Sequence, residues 1–241
     1  MKYTHNINST IKGDKVNKGS TFKRKELKYV ITKEQKSLLL KAISDCIVPD
    51  KYEKYMISNV YLDTIDKRLI GYSILKPLYK EKIRIRSYGR VNSDEHVFIE
   101  LKKKYKGIVY KRRISMPYGE SKAYLLGSSS RTGQIENEID YFLEYYGELY
   151  PSMLIAYNRH AFSGKEDATL RITFDDNITW RDYDVNLSSE IYGNKLLDDN
   201  QCLLEIKCSS AMPIWLARAL SENHIYKLSF SKYGQAYKGT I

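Results

Sequence analysis

The sequence predicts an α+β fold in which strands share one sheet and several helices pack against one side of it. Two observations support this class. Short segments alternate between apolar and charged residues with a period of two, which is typical of strands with one buried face. Longer segments between them carry apolar residues at helical spacing. With 241 residues, the chain is long enough to bury a sizeable core.

The elements follow one another without a repeat or a low-complexity linker. Eight strands are predicted, over residues 22–31, 57–63, 81–89, 95–105, 108–116, 152–162, 168–178 and 201–209. Helices are predicted over 32–47 with Thr32 as N-cap, after Asp63, over 132–147 and around Trp215. Residues 1–21 are polar and predict a disordered tail, which leaves one domain over 22–241.

Charge on the strands follows a regular pattern. In EKIRIRSYG (81–89), Arg84 and Arg86 alternate with Ile83 and Ile85, so cations and apolar groups lie on opposite faces. At least seven of the eight predicted strands repeat this arrangement with mostly basic charge. If helices cover the apolar side, the charged side is either an outer surface or the lumen of a closed barrel.

If the charged side is the lumen of a closed barrel, the kind of ligand that binds there can be predicted. A lumen crowded with Arg and Lys would repel itself unless it held anions, so it predicts a phosphate-rich ligand. The acidic exceptions are Glu26, Glu100 and Glu205, and carboxylates among phosphate-binding cations suit a hard divalent metal.

Composition and charge limit the kinds of partner, the cellular location and the mechanisms expected for this protein. Forty Lys and Arg against 29 Asp and Glu give a net charge of +11, which favours a polyanionic partner. No apolar run approaches the roughly 20 residues that span a bilayer, and no signal peptide is evident, so a cytoplasmic protein is expected. Cys46, Cys202 and Cys208 are expected to be reduced thiols. A P-loop motif is absent from the sequence, which disfavours a P-loop mechanism.

Nine short segments, taken in order, resemble the catalytic domain of the VTC (vacuolar transporter chaperone) family, within the triphosphate tunnel metalloenzyme superfamily. They are RKELKY (24–29), VYLDT (60–64), KIRIRSYG (82–89), FIELKKK (98–104), YKRR (110–113), YNRHAF (157–162), LRITFDDNI (170–178), LLEIKC (203–208) and FSKYG (230–234). The superfamily's first-strand signature ExExK is altered, because Arg24 replaces the first glutamate. This departure fits the VTC branch better than a two-metal hydrolase.

The resemblance implies a closed antiparallel eight-stranded β-barrel, a tunnel with a basic lumen and helices outside. In it, ATP would be cleaved and its γ-phosphate added to a growing polyphosphate chain. The implied catalytic residues are Lys28, Arg84, Arg86 and Lys232. The implied phosphate-binding residues are Lys102, Lys111, Arg113, Arg159, Arg171, Lys207 and Ser231. Mn²⁺ or Mg²⁺ would be held by Glu205 and Glu26.

Other functions stay open at this point. The same tunnel could hydrolyse tripolyphosphate or nucleoside triphosphates, or act as a non-catalytic polyphosphate sensor. A nucleic-acid binder would need cations on an outer face with exposed aromatic residues, and nucleic acid is therefore not an expected partner. Eukaryotic members carry an SPX domain and membrane helices that this sequence lacks, so a separate membrane partner is compatible with it.

Individual residues also have simpler structural interpretations. Asp175 shares a strand face with Arg171 and is expected to be its ion-pair partner. Asp63 is expected to cap a helix, and Arg181 is expected to be a surface charge.

Overall fold

A computed structural model describes most of the chain. The described residues are 25–106, 108–127, 132–209 and 211–240. The predicted tail over 1–21 and the altered signature position Arg24 lie outside them. The described residues divide into two compact units, which are 58–152 with 186–190, and 25–57 with 153–185 and 191–240.

The elements alternate between strands and helices in both units. In chain order the described residues form β1 (Lys25–Thr32), α1 (Lys33–Ile43), β2 (Ile47–Asp63), α2 (Arg68–Ile74), β3 (Tyr79–Ser87), β4 (His96–Tyr105), β5 (Ile108–Pro117), α3 (Tyr118–Leu125), α4 (Gln134–Tyr146), β6 (Tyr150–Gly164), β7 (Arg171–Arg181), β8 (Asn194–Lys195), β9 (Gln201–Cys208), α5 (Ile214–Glu222) and α6 (Lys232–Lys238). All eight predicted strands are present, and the α+β class is confirmed. The helices α3 and α6, the short strand β8 and the first half of β2 were not predicted.

Two predicted helix caps are present. The Thr32 hydroxyl accepts a hydrogen bond from the Gln35 amide, and the Gln35 side chain accepts one from the Thr32 amide. The Asp63 carboxylate accepts hydrogen bonds from the amides of Leu69 and Ile70 at 2.8 and 3.0 Å, at the start of α2. These side chains satisfy amides that a helix N-terminus leaves without partners.

The first unit, residues 58–152 with 186–190, contains an antiparallel series in the order β2-β3-β4-β5, to which β2 contributes residues 58–62. Its apolar face is fully buried at Ile83, Ile99 and Leu101. The helix α4 contacts β5 and buries Ile139 and Phe142. Burial of one strand face leaves the opposite face for polar and charged side chains.

The second unit contains an antiparallel series in the order β1-β9-β7-β6, with β8 paired to β7. Its core joins apolar side chains from β1, β7 and β9 to the helices α1 and α5. Members of this core include Tyr29, Ile31, Leu39, Phe174, Leu204, Ile206 and Leu216. The charged residues of these strands again occupy the face away from the core.

The predicted closed eight-stranded barrel is wrong. Among the described residues, β1 pairs along its length only with β9 in one series and β5 only with β4 in the other, so strand pairing does not close a barrel. The edge of β1 is met by a C-terminal segment, because the Leu228 amide donates to the Lys28 carbonyl at 2.9 Å. An edge strand covered in this way has part of its hydrogen-bonding capacity satisfied without barrel closure.

Two further predictions have outcomes among the described residues. Cys46, Cys202 and Cys208 are free thiols, as expected. In the part of the chain that the structure describes, every helix is too short or too polar to cross a membrane. The domain boundaries and the cytoplasmic location stay predictions.

Candidate functional site

Each unit gathers cations around a buried carboxylate. The first cluster, in the unit of residues 58–152, consists of Glu100 with Arg84, Arg86 and Lys111. The second cluster, in the other unit, consists of Glu205 and Asp175 with Lys28, Arg159 and Lys232. Seven of these nine residues belong to the predicted site, and Glu100 and Asp175 do not.

The first cluster is built by strand register. Arg84 of β3 lies directly opposite Glu100 of β4, and its Nε and Nη2 donate to Glu100 Oε2 at 2.9 and 2.7 Å. The second oxygen, Oε1, lies 2.5 Å from Nζ of Lys111 and 3.5 Å from Nη1 of Arg86. The Glu100 side chain is only 2% exposed, so these charge-assisted contacts replace its hydration.

Neighbouring side chains on β2 orient the two guanidinium groups. Arg84 Nη1 donates to the Tyr61 hydroxyl at 3.1 Å, and Arg86 Nε donates to Asn59 Oδ1 at 3.1 Å. Both partners lie opposite their arginines in the β2–β3 register. The arginines are therefore held in place by polar groups as well as by charge.

In this cluster three cations surround one carboxylate, and this arrangement changes the pKa values of Glu100 and Lys111. Burial opposes ionisation of Glu100, but Arg84, Arg86 and Lys111 outweigh it and hold the pKa of the carboxyl well below its usual range. Burial lowers the pKa of Lys111 to about 7; attraction to Glu100 opposes this change, while the nearby Arg86 and Arg84 add to it. Because Arg84 and Arg86 face a single carboxylate, the cluster has net positive charge even when Lys111 is neutral, and protonation of Lys111 increases it.

The second cluster also follows from register. Lys28 of β1 lies opposite Glu205 of β9, and Arg159 of β6 lies opposite Asp175 of β7. Arg159 Nε and Nη2 donate to the two oxygens of Asp175 at 2.6 and 2.7 Å, which is a bidentate pair. Arg159 Nη2 also lies 3.3 Å from Glu205 Oε2.

Lys232 joins the two carboxylates of this cluster. Its Nζ lies 2.5 Å from Asp175 Oδ2, 2.9 Å from Glu205 Oε1 and 4.5 Å from the ring centroid of Tyr157. Burial disfavours its charge, but Asp175 and Glu205 outweigh burial and raise the pKa of Lys232. The residue begins α6, where the Ser231 hydroxyl caps the helix by accepting from the Gly234 amide at 3.2 Å.

Glu26 and Glu205 are the two carboxylates of this site that were predicted to bind a metal ion. Lys28 Nζ lies 3.2 Å from Glu26 Oε1 and 3.3 Å from Glu205 Oε1, so the two predicted metal ligands converge on one cation. Burial opposes the charge of Lys28, but Glu205 and Glu26 outweigh it and raise the pKa of the lysine. Among the described residues, no cluster of three or more His, Cys, Asp or Glu side chains could bind a metal by itself. Mg²⁺ commonly uses one or two carboxylates plus phosphate oxygens and water, and this pair fits that requirement.

The remaining predicted residues of the second unit lie beside this cluster. Arg171 pairs with Asp50 at 2.5 Å and donates to the Tyr55 hydroxyl at 3.1 Å. The predicted Arg171–Asp175 ion pair is therefore wrong, because Asp175 bonds to Arg159 and Lys232. Lys207 lies opposite both Glu26 and Arg171 in the strand register.

The remaining predicted residues of the first unit extend its charged face. Lys102 lies opposite Lys82 of β3 and Lys111 of β5. Arg113 lies opposite Glu100, and its guanidinium carbon is 4.6 Å from the ring centroid of Phe98. Both Lys102 and Arg113 are exposed.

Two cavities lie away from these clusters. One of about 580 Å³ is lined by Lys103 and the first turns of α4, and one of about 280 Å³ lies between β7 and residues 195–201. Neither is lined by a predicted site residue.

The prediction that Arg181 is a surface charge is wrong. It is buried, and its guanidinium donates to the carbonyls of Asp184 and Tyr192 at 3.1 and 2.9 Å, so it is a structural residue rather than a surface charge. Its position at the end of β7, as the first residue of the polar segment RDYDVN (181–186), gave no sign of this burial. The sequence had marked Glu100 as an acidic exception on a basic strand face and Asp175 as an ion-pair partner, although neither was among the implied site residues.

Comparison with protein-family models agrees with the sequence resemblance. The family model described as the VTC domain matches residues 23–241, which confirms the resemblance. A candidate adenylate cyclase from Bacillus halodurans has a similar fold, with a TM-score of 0.52, 14% identity, and coverage of 86% of this chain and 92% of that one. A second candidate adenylate cyclase, from Vibrio parahaemolyticus, aligns with a TM-score of 0.46 and 14% identity over 88% of this chain and 96% of that one. No curated protein matches the chain significantly.

Proposed function

The chain belongs to the VTC domain family, and we propose on this basis that it is a metal-dependent polyphosphate polymerase. It would transfer the γ-phosphate of ATP to a growing polyphosphate chain. The observation that carries the proposal is the imbalance around Glu100, where three cations share one buried carboxylate. Such an excess of fixed positive charge is stabilised when a polyanion binds.

The residues of the first cluster suit phosphoryl transfer. This reaction requires alignment of the phosphates and neutralisation of the charge on the transferring group, with little covalent help from the protein. Arg84 and Arg86 offer planar forks that bind phosphate oxygens in pairs. Because Tyr61 and Asn59 already orient these forks, little reorganisation is needed when substrate binds.

The residues of the second cluster supply fixed charges of both signs. Asp175 and Glu205 keep Arg159 and Lys232 charged although both cations are buried. We assign these cations to phosphate binding, with Lys28 beside them. Glu205 and Glu26 would hold Mg²⁺ or Mn²⁺, and the metal would supply positive charge that offsets the charge of the phosphates.

The test is incubation of the purified protein with ATP and Mn²⁺ or Mg²⁺, followed by a gel that separates polyphosphate by length. The variants are Arg84→Ala and Glu205→Ala, and the matched control is Arg218→Ala, which removes an exposed arginine from α5. Circular dichroism verifies that each variant is folded. We expect a phosphatase-resistant ladder with the wild type and the control, and a decrease of at least about a hundredfold with each site variant.

Other products would identify a different function. Orthophosphate without a ladder would identify a triphosphate hydrolase, which uses the same positioning of phosphates for attack by water. Tight binding of triphosphate without turnover, unaffected by the metal or by Glu205→Ala, would identify a sensor. A ladder that persists in Arg84→Ala would contradict the assignment of the first cluster.

A further inference from the structure

One end of the first unit exposes a group of apolar side chains. Leu75 follows the end of α2 and is 75% exposed, and Leu78 precedes β3 and is 72% exposed. Tyr79 of β3 lies opposite Tyr105 of β4, and their rings meet edge to face with centroids 6.4 Å apart. Both tyrosines are exposed as well. These four residues are called the apolar tip below.

Backbone contacts and turns fix the shape of the apolar tip. The Lys106 amide donates to the Leu78 carbonyl at 2.9 Å, which joins the end of β4 to the segment before β3. Lys76 and Lys106 have left-handed backbone conformations, with φ of 55° and 45°. Such values are uncommon for residues other than glycine, and here they place a lysine at a turn on each side of the tip.

Lysines lie around the apolar tip. The Nζ of Lys106 lies 5.4 Å from the ring centroid of Tyr105. Lys76 and Lys104 both lie near Lys80, because burial together with these two lysines lowers the pKa of Lys80. The tip therefore has an apolar centre and a basic rim.

The sequence around the apolar tip supplies no negative charge. Residues 67–80 contain four Lys and Arg, residues 101–119 contain seven, and neither segment contains Asp or Glu. The next carboxylate along β3, Glu81, is buried, and it accepts hydrogen bonds from the hydroxyls of Tyr79 and Tyr146 at 2.5 and 2.8 Å. These two segments therefore present positive charge and apolar surface together.

We infer that the apolar tip and its lysines bind the surface of an anionic lipid bilayer. Leucine and tyrosine side chains enter the boundary between headgroups and acyl chains, while lysine stays at the headgroups and attracts anionic lipids. Leu75 and Leu78 thereby leave water, and no helix has to cross the membrane. This contact is separate from phosphoryl transfer, and it holds the protein at a membrane surface.

Two other occupants fit the apolar tip less well. A second copy that met the tip end to end would bring Lys76 and Lys106 of both chains together, and like charges across an interface oppose association. Single-stranded nucleic acid stacks its bases on aromatic rings, but Leu75 and Leu78, which are the most exposed residues of the tip, have none. Charge and apolar exposure together favour the bilayer.

Sedimentation of the full chain with lipid vesicles tests the apolar part of the contact. The vesicles contain phosphatidylcholine alone or with about 30% phosphatidylserine. The test variant is Leu75→Ser combined with Leu78→Ser, and the matched control is Leu126→Ser combined with Ile214→Ser, which removes exposed apolar side chains elsewhere. We expect at least about tenfold weaker binding of phosphatidylserine vesicles by the test variant, and binding by the control within about twofold of the wild type.

A second pair of variants tests the charged rim. Lys76→Gln combined with Lys106→Gln should weaken binding of phosphatidylserine vesicles about tenfold or more, since each lysine at an anionic surface contributes roughly fivefold. The control is Lys33→Gln combined with Lys122→Gln, which removes the same charge from exposed positions on α1 and α3 and should have a smaller effect. The wild type should bind vesicles of phosphatidylcholine alone more weakly than those with phosphatidylserine.

The phosphate-binding residues provide a further control. Arg84→Ala should bind vesicles like the wild type, because Arg84 lies in the first cluster and not at the apolar tip. The variant with Leu75→Ser and Leu78→Ser should turn over ATP like the wild type. Loss of vesicle binding without loss of turnover would therefore separate the membrane contact from the proposed polymerase activity.

Several results would overturn the assignment of the apolar tip to a bilayer. Unchanged vesicle binding in either tip variant would exclude the tip, and an equal loss in the matched controls would show a general effect of charge or apolar surface. An equal loss in Arg84→Ala would place the lipid phosphates at the first cluster instead. Single-stranded DNA binding that is lost in the tip variants, without an effect on vesicles, would identify nucleic acid as the partner. A wild-type dimer that Leu75→Ser with Leu78→Ser dissociates, again without an effect on vesicles, would identify a second copy.

Discussion

Lys232 and Asp175 form a buried ion pair in which the lysine Nζ lies 2.5 Å from the carboxylate Oδ2, and the Asp175 side chain is completely excluded from solvent. The same carboxylate forms a bidentate pair with Arg159. One acidic residue thus connects the start of α6 to strand β6. The positions of Arg159, predicted to bind phosphate, and of Lys232, predicted to be catalytic, depend on it.

The first prediction concerns this carboxylate. Asp175→Asn should lower the free energy of unfolding by about 3–5 kcal/mol, because it leaves two buried cations with insufficient negative charge. Urea unfolding measures the change. Asp199→Asn, which alters an exposed pair with Lys195, serves as control and should have no measurable effect. Equal stability of the two variants would contradict a structural role for Asp175.

The second prediction concerns the buried carboxylate of the first cluster. Glu100→Gln should destabilise the protein by about 3–5 kcal/mol, because Arg84, Arg86 and Lys111 would then repel one another without a counter-charge. Added tripolyphosphate should restore much of this loss, since the anion takes the place of the carboxylate.

Thermal unfolding with and without tripolyphosphate measures how much the ligand stabilises each variant. The variant should show a larger ligand-induced shift of Tm than the wild type. Glu138→Gln, which alters the partly exposed pair with Arg112, should show the wild-type shift. A shift in Glu100→Gln no larger than that of the wild type would mean that the anion does not bind at this cluster.

The sequence predicted the faces of the strands better than the partners of their side chains. Alternation with a period of two is local, so it placed Arg84 and Ile83 on opposite faces without knowledge of neighbouring strands. Register between distant strands is not local, and Asp175 therefore pairs with Arg159 rather than with Arg171. The charge pattern of each strand therefore predicted which face carries the charged side chains, but it did not predict which residues form ion pairs.

For a similar reason, local sequence patterns could not predict whether the sheet closes into a barrel. An open sheet and a closed barrel have the same alternation along each strand, and they differ only at the edge strands. Here the edge of β1 bonds to Leu228, in a segment with no strand-like pattern. The helix α6 was missed because KYGQAYK is short and lacks an apolar stripe, although the resemblance had already identified Lys232 within it.

The third prediction is a pH dependence of triphosphate binding. Burial lowers the pKa of Lys111 to about 7, so the amine is protonated below this pH and loses its charge as the pH rises through it. Since the protonated amine binds phosphate, affinity should fall by up to about tenfold between roughly pH 6 and pH 8.

Calorimetric titration with tripolyphosphate across this range tests the effect. Lys111→Arg keeps the positive charge at all these pH values, so it should flatten the profile and leave only the titration of the ligand itself. The same pH dependence in the variant and the wild type would exclude Lys111 as its source.

The fourth prediction concerns metal binding. Glu26→Gln should raise the metal concentration for half-maximal activity by about tenfold or more, because one of two carboxylates near Lys28 loses its charge. Activity at saturating metal should change less. The exposed residue Glu222 provides the control, and Glu222→Gln should leave the metal dependence unchanged. A chelator should abolish turnover in all three proteins.

Phosphorus NMR of the protein incubated with ATP and Mg²⁺ tests whether it is a polyphosphate polymerase, since it resolves each product in one spectrum. We expect the signals of ADP and of phosphates within a polyphosphate chain to grow together while the γ-phosphate signal of ATP declines. Growth of orthophosphate alone, or of pyrophosphate with a cyclic nucleotide, would contradict this prediction.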